Sequence, residues 1–264
     1  MFSQGPGELT ELTRRAIGDG AELLVVVGGD GTVHEVANGA VGADGVEVAV
    51  LPRGTGKDFV RSLRIPSDLR KALEVARDGR PRSVDLGVAT YHSWDGSEAS
   101  AYFANFAGAG ISGAIARRAN TSSKALGGRI SFLTATLAVF ATWKSAKVTL
   151  VVDGEGRSGD MFEVLVMNGD YAAGGMWVTP DAQPDDGRLD VLLIGDVTKL
   201  DFVRTFPKIY RGRHLSHPKI DLVHGRRVEV DAAPAVPVVL DGEQPGTTPA
   251  QFEVVPQALR VRVP

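Results

Sequence analysis

The apolar positions change period along the chain. From Glu8 to Gly20 they recur at helical spacing, with Leu9, Leu12 and Ala16 on one face and a Gly-Asp-Gly stop, whereas Leu23 to Val27 run without a polar interruption. The first pattern predicts an amphipathic helix, the second a strand buried on both faces, because consecutive β-branched side chains suit a strand covered above and below. Val33, Val36, Ala37 and Ala40 return to helical spacing, Val46 to Leu51 form a second strand, and Ser67 to Gly79 form another helix with Ser67 as N-cap and Leu69, Ala72, Leu73 and Ala76 inward. From Arg82 onward β patterns dominate. Strands are expected at Ser83–Tyr91, Ala101–Ala107, Ala146–Val152, Met161–Val166, Leu189–Ile194, Val228–Val230, Val236–Leu240 and Phe252–Val255. Helices interrupt them at Gly113–Asn120, Ile130–Trp143 and Lys199–Tyr210, the last broken by Pro207, and Leu259–Val263 reads as a final strand returning to the first domain. The change of character places a boundary between residues 80 and 88.

Two glycine-rich loops stand out against this pattern. Gly28-Gly29-Asp30-Gly31-Thr32 stops the first strand and delivers the chain into a helix, where backbone N–H groups lack intrahelical partners and the dipole favours an anion. Glycine allows close backbone approach to a phosphate, and Asp30 places a carboxylate where it can hold Mg²⁺ or a hydroxyl. Pro52-Arg53-Gly54-Thr55-Gly56-Lys57-Asp58-Phe59 repeats the arrangement of strand, glycine loop and helix. Two such loops leaving successive strands make a crevice at the strand C-termini, where open α/β sheets bind ligands. With one such loop alone Asp58 would read first as a plain helix cap, and the second loop makes that reading the weaker one.

Composition narrows the classes. The 264 residues carry 43% apolar side chains, enough for one large domain or two, and the net charge of −3 is spread over scattered residues, which argues against a nucleic-acid binder. No cysteine is present, so disulfide frameworks and thiolate metal sites are excluded and a reducing cytosol is the simple expectation. The opening residues carry no signal-peptide pattern, and the apolar run Ile130–Trp143 is too short and too rich in Thr to cross a bilayer. Any membrane contact is therefore expected to be peripheral. His34, His92, His214, His217 and His224 show no zinc spacing and read as surface residues. The basic segment Lys199–Arg213, with Phe202, Phe206 and Tyr210 interleaved, reads as a solvated helix face ahead of a membrane patch, and Ile130–Trp143 as a core helix or an interfacial one.

The ordered motifs carry a resemblance. The two glycine loops, Arg61, Val84-Asp85-Leu86-Gly87, Phe103-Ala104-Asn105-Phe106, Asn168-Gly169-Asp170-Tyr171, Gly174-Gly175, Pro180-Asp181-Ala182, Asp185-Asp186-Gly187-Arg188-Leu189-Asp190 and Leu240-Asp241-Gly242-Glu243 together resemble the diacylglycerol-kinase-like lipid kinases over essentially the whole chain. The first glycine motif alone is shared with NAD kinases. The resemblance implies an N-terminal α/β/α nucleotide-binding domain, Rossmann-like and phosphofructokinase-like, at residues 1–86 and 257–264, and a C-terminal β-sandwich lipid-substrate domain at 87–256, with the active site between them. It implies ATP phosphates against Gly28, Gly29, Asp30, Gly31, Thr32, Val33 and His34, with Thr55 and Asp58 from the second loop.

A Mg²⁺ site is implied at Asp186 with the carbonyls of Gln183 and Arg188, although Pro184-Asp185-Asp186-Gly187 is also a plain turn signature. Glu243 is implied as the base that takes the acceptor hydroxyl proton, with Asp241 supporting it and Asp30 as the rival base. From residues alone, Asp241-Gly242-Glu243 is equally an exposed hairpin turn, or an extended run with both carboxylates on one side. The activity implied is transfer of the ATP γ-phosphate to a hydroxyl of a lipid such as diacylglycerol. The alternatives are an NAD-kinase-like kinase for a soluble hydroxyl, or a non-catalytic nucleotide- or lipid-binding relative. Expected partners are a lipid substrate at the inner membrane surface and a second copy of the chain, and the expected location is cytoplasmic. Two departures are visible: Lys57 stands where the family pattern has Asn, and the family's opening strand with its Asn-Pro-x-(Ser/Ala)-Gly loop is missing, which predicts an N-terminally incomplete nucleotide site.

Overall fold

The computed structural model describes residues 3, 5, 7–121 and 128–264. The first half contains α1 (Glu8–Gly18), β1 (Leu23–Gly28), α2 (Asp30–Ala40), β2 (Glu47–Pro52), a short α3 (Asp58–Ser62) and α4 (Leu69–Asp78). After it come β3 (Arg80–Ser93), β4 (Glu98–Phe103), β5 (Phe106–Gly110), α5 (Ile111–Thr121), α6 (Gly128–Thr142), β6 (Ala146–Val152) and β7 (Glu155–Met167). The chain closes with β8 (Tyr171–Ala172), β9 (Met176–Trp177), β10 (Leu189–Gly195), α7 (Lys199–Ile209), β11 (Ile220–Gly225), β12 (Arg227–Ala233), β13 (Pro237–Leu240) and β14 (Glu243–Val263).

Strands β1 and β2 are parallel, as a βαβ unit requires, and the end of β14 adds to β2 in parallel, pairing Val261 with Val48. Along almost its whole length β14 is also antiparallel to β3, from Gly246 opposite Ser93 to Val263 opposite Arg80. These two strands serve two cores. Val84, Leu86, Leu259, Val261 and Val263 pack with Val33, Val36, Val48 and Phe59 beneath the α/β layer. Ala89, Tyr91, Ala250 and Phe252 pack with Leu150, Val164, Val191 and Val238 inside the β layers. In the second half the pairings β14–β12, β12–β6, β6–β7, β7–β5, β5–β13 and β13–β14 close a ring, so a sandwich forms whose sheets share the long strands β7 and β14.

Several expectations are corrected. Strand β1 is not covered on both faces: Val25 is 51% and Val27 58% exposed, because the helix on their face, α4, packs over their β2 neighbours Ala49 and Leu51 and reaches only Leu23 of β1. The N-cap of α4 is Asp68, whose Oδ1 accepts the Lys71 N–H at 3.0 Å, rather than Ser67. Leu69 and Leu73 are exposed, since α4 meets Ala49 and Leu51 through Ala72 and Ala76 alone. The expected strand Ala101–Ala107 is two strands, broken where the Ala104 and Asn105 N–H groups turn to the Asp241 carboxylate. Phe252–Val255 and Leu259–Val263 belong to one strand, β14, with a bulge between Val255 and Leu259.

Candidate functional site

The two glycine loops lie backbone against backbone. A Cβ on Gly54 would sit 2.5 Å from Gly29 Cα, a Cβ on Gly29 would sit 2.8 Å from Gly56 O, and the Arg53 and Gly54 N–H groups donate to Gly28 O at 2.9 and 3.2 Å. Gly29 and Gly54 are therefore required by loop packing as well as by any phosphate. Gly31 differs: it is exposed, and nothing lies within 4 Å of a Cβ placed there. Helix α2 begins at Asp30, and the Val33 N–H is already committed to Gly29 O at 3.0 Å, so Asp30, Gly31 and Thr32 bring the unpaired donors of its first turn. The Val33 side chain is buried in the α/β core.

Asp30 fastens the second loop to the first. Its carboxylate accepts the N–H groups of Asp58 and Phe59, both at 3.1 Å, and so caps α3, whose own N-cap residue Lys57 makes no side-chain cap. Each Asp30 oxygen retains a lone pair for a cation or a hydroxyl. Burial, then the charge of Asp58, raise its pKa to about 6. Asp58 is buried and faces the second half, where Oδ2 accepts the Gly174 N–H at 2.6 Å while Oδ1 accepts from Arg61 at 2.6 Å. Burial is also the main reason its pKa is raised. The Arg61 guanidinium lies 5.2 Å over the Tyr171 ring, and Tyr171 stacks on Trp177 at 6.1 Å. Thr55 is exposed on the second loop.

From the other side comes the turn joining β13 to β14. Leu240 pairs with Glu243, and Asp241 and Gly242 have φ of 49° and 98°, which defines a two-residue hairpin of the type with both central residues left-handed. The extended alternative for this segment is thereby corrected. The exposed-turn alternative holds for Gly242 and Glu243 but not for Asp241, whose side chain is buried. Asp241 Oδ1 accepts the N–H groups of Asn105 at 2.9 Å and Phe106 at 3.0 Å, while Oδ2 accepts the Ala104 N–H at 2.7 Å and faces His34 Nδ1 at 3.1 Å. All four acceptor directions are used, so Asp241 is a fixed anion and Glu243 is the free carboxylate of the pair. His34 thus points to Asp241. Burial opposes its charge, but the bond to Asp241 and the charges of Asp241, Glu243 and Glu35 outweigh that and raise its pKa.

The residues proposed for a metal lie elsewhere. Asp186 is exposed and its Oδ1 accepts the Arg188 N–H at 3.0 Å, the signature of a turn, with Gln183 exposed nearby in sequence. Asp190, bonded to His224 at 2.9 Å, has its pKa raised to about 6, first by burial and then, against His224, by the charges of Asp186 and Asp181. Among the described residues no three carboxylate or imidazole groups converge closely enough to hold a metal ion, so a cation at this turn would rest on Asp186 and backbone carbonyl oxygens, the donors a hard divalent cation takes. The same turn borders a concavity of about 460 Å³, which Asp85, Arg226 and Glu253 also line.

Sequence reasoning gave no individual role to Asp85, Asn105 or Asp170. Asp85 has no exposure and accepts N–H groups from Gly187 and Gln257, both at 2.7 Å, pinning the β14 bulge. Asn105 accepts from Ser62 at 3.3 Å and donates to Tyr171 O, and Asp170 accepts from Arg64 at 3.2 Å, so both join the halves. Their signal was membership of the ordered motifs; their partners lie too far along the chain for any spacing rule. His214, expected at the surface, is buried, with Nε2 at 2.9 Å from Val178 O and a pKa lowered by burial.

With two glycine loops meeting a carboxylate turn at the junction of an α/β layer and a β-sandwich, the arrangement is that of lipid- and NAD-kinase-like proteins. The chain belongs to the family that joins a diacylglycerol kinase catalytic domain, matched at residues 1–89, to a YegS C-terminal NAD kinase beta sandwich-like domain, matched at 105–263. It is 28% identical to a diacylglycerol kinase of Staphylococcus carnosus over 99% of this chain and 83% of that protein, and 26% identical to one of Bacillus subtilis over 98% and 83%. The crystal structure of a diacylglycerol kinase from Bacillus anthracis superposes with a TM-score of 0.72 at 23% identity, covering all of this chain and 84% of the other. Yeast NADH kinase complexed with NADH shares the fold at a TM-score of 0.53 and 12% identity, covering 94% of this chain and 62% of the other.

Proposed function

We propose that the chain transfers the γ-phosphoryl group of ATP to a hydroxyl of a diacylglycerol-type lipid, with residues 1–86 and 257–264 forming the nucleotide domain and 87–256 the lipid-substrate domain. The observation that carries the reading is the Asp241–His34 contact, which holds the Glu243 turn against the first turn of α2. Unpaired N–H groups of that turn and the Thr55 hydroxyl suit phosphate oxygens, and the open space at Gly31 leaves room for them. Glu243, the free carboxylate, takes the proton of the acceptor hydroxyl; Asp241, fully engaged, is a positioning residue. Asp30 and Asp58 hold the two loops in register, and the remaining lone pairs of Asp30 suit a nucleotide-bound cation. Mg²⁺ bound with ATP neutralises phosphate charge during transfer. A second ion at Asp186, with the carbonyls of Gln183 and Arg188, would offset the carboxylate repulsion that adds to burial in raising Asp190. Incubating the full chain with labelled ATP, Mg²⁺ and diacylglycerol, with NAD as a parallel acceptor, tests the reading. Label in phosphatidic acid supports it; label in NADP instead replaces the lipid with a soluble acceptor, and ATP binding with no transfer leaves a binding protein.

A further inference from the structure

Helix α6 is misplaced for its composition. From Ile130 to Thr142 it carries no charged residue, and a helix apolar on all sides is normally a core element. Yet none of its side chains placed by the structure is buried, and Leu137 is 59% exposed. At 15 residues it extends about 22 Å, short of the ~30 Å hydrocarbon thickness, so it does not span a bilayer.

Helix α7 continues the same surface. Its buried side presents Thr205 and Ile209, and its exposed side presents Leu200, Val203 and Pro207 along one stripe, with Val203 58% exposed. The two helices are fixed to each other: Lys199 Nζ donates to Phe140 O and, at 2.9 Å, to Trp143 O, and the Phe140 and Phe202 rings lie 4.4 Å apart. Flanking the stripe are the exposed cations Arg204, Lys208, Arg211 and Arg213. The only acidic residue in 199–213 is Asp201, whose carboxylate is taken up by the Thr198 capping box. In a chain of net charge −3 this is a local reversal of sign.

We infer that the joined faces of α6 and α7 are the surface by which the chain lies on an anionic lipid bilayer. The inference takes its purpose from the lipid-kinase reading and its physics from this face. An exposed apolar stripe gains by entering the acyl boundary, while the cationic flank meets anionic headgroups. A second copy is the poorer occupant, because a two-fold contact through this face would set cations against cations. The face also leads to the site. Beyond α7, Gly212 lies against Trp177 and Pro180, Trp177 stacks on Tyr171, and Arg61 joins Tyr171 to Asp58.

The test is co-sedimentation of the full chain with phosphatidylcholine vesicles, with and without phosphatidylglycerol. The wild type should pellet with the anionic vesicles only, and Leu200→Asp/Val203→Asp and Arg204→Glu/Lys208→Glu should each lower the bound fraction about tenfold. With an unchanged melting temperature, both variants should lose phosphorylation of vesicle-borne diacylglycerol and keep that of a monomeric short-chain diacylglycerol. Failure of the wild type to bind, equal binding by the folded variants, or conversion of a dimer to a monomer by them overturns the inference. If binding is lost as expected but no form phosphorylates any diacylglycerol, the docking surface stands and the lipid-kinase reading falls.

Discussion

His34 Nδ1 and Asp241 Oδ2 stand 3.1 Å apart and tie helix α2 to the β13–β14 turn. The His34 pKa is raised above 6.5 in the folded protein, so the stabilisation it gives is fully present below that value and is lost as the pH rises through the raised one. Urea titrations should show unfolding free energy declining just above pH 6.5 more steeply than in His34→Gln, which keeps only the declines owed to other groups. Asp241→Asn removes the anion that serves three N–H groups and the imidazole, and should cost about 3 kcal/mol at neutral pH.

Glu163 gives a second dependence of the same sign. Buried, it caps α5 by accepting the Ser112 N–H at 2.6 Å and hydroxyl at 2.9 Å, and burial raises its pKa to about 8. The native carboxyl keeps a proton that the unfolded chain releases near its ordinary value of 4.5, so stability falls as the pH rises from there to about 8. Glu163→Gln resembles the protonated side chain. It should flatten that decline and exceed the parent at pH 9 by a few kcal/mol, measured by denaturant unfolding at several pH values.

Gly54→Ala tests the contact between the loops. Its Cβ would fall 2.5 Å from Gly29 Cα and 2.7 Å from Gly29 N, where only backbone can yield. We expect destabilisation of about 2 kcal/mol and a loss of nucleotide affinity. Gly31→Ala meets nothing within 4 Å and should fold as the parent does, so calorimetry with ATP on the two variants separates loop packing from ligand space.

The roles proposed for Glu243 and Asp30 predict different kinetics. Glu243→Gln should lower kcat by roughly 10²- to 10⁴-fold with little change in the dissociation constant for ATP. Asp30→Asn should weaken Mg²⁺-dependent nucleotide binding along with turnover, because the change disturbs both the proposed cation ligand and the cap of α3. Near-normal kcat in Glu243→Gln removes the base assignment, and intact ATP affinity with no turnover in Asp30→Asn transfers it to Asp30.

Periodicity exposed the two strands of the βαβ unit and most helices, because those patterns report local burial. It failed where burial is decided at a distance. Val25 and Val27 read as core but line an edge, and α4 buries its alanines rather than its leucines. The break at Ala104–Asn105 was invisible because the acceptor that replaces the ladder, Asp241, lies far along the chain. In the candidate site the glycine loops were legible as strand-to-helix turns. Their mutual packing was not, nor was the use of Asp30 and Asp58 as ties between loops and halves, since a carboxylate carries no mark of which N–H groups it will meet.

The course of β14 has a consequence for the order in which the molecule forms. Val261 and Val263 are core residues of the α/β layer, and their strand sits between β2 and β3. That layer cannot complete its sheet until the ribosome has delivered residues 259–263, after the entire sandwich has been made. The α/β layer, though made ahead of the sandwich, is thus among the last parts to close, and Val48, Val84 and Leu86 remain available to chaperones, or to one another in the wrong pairing, until then.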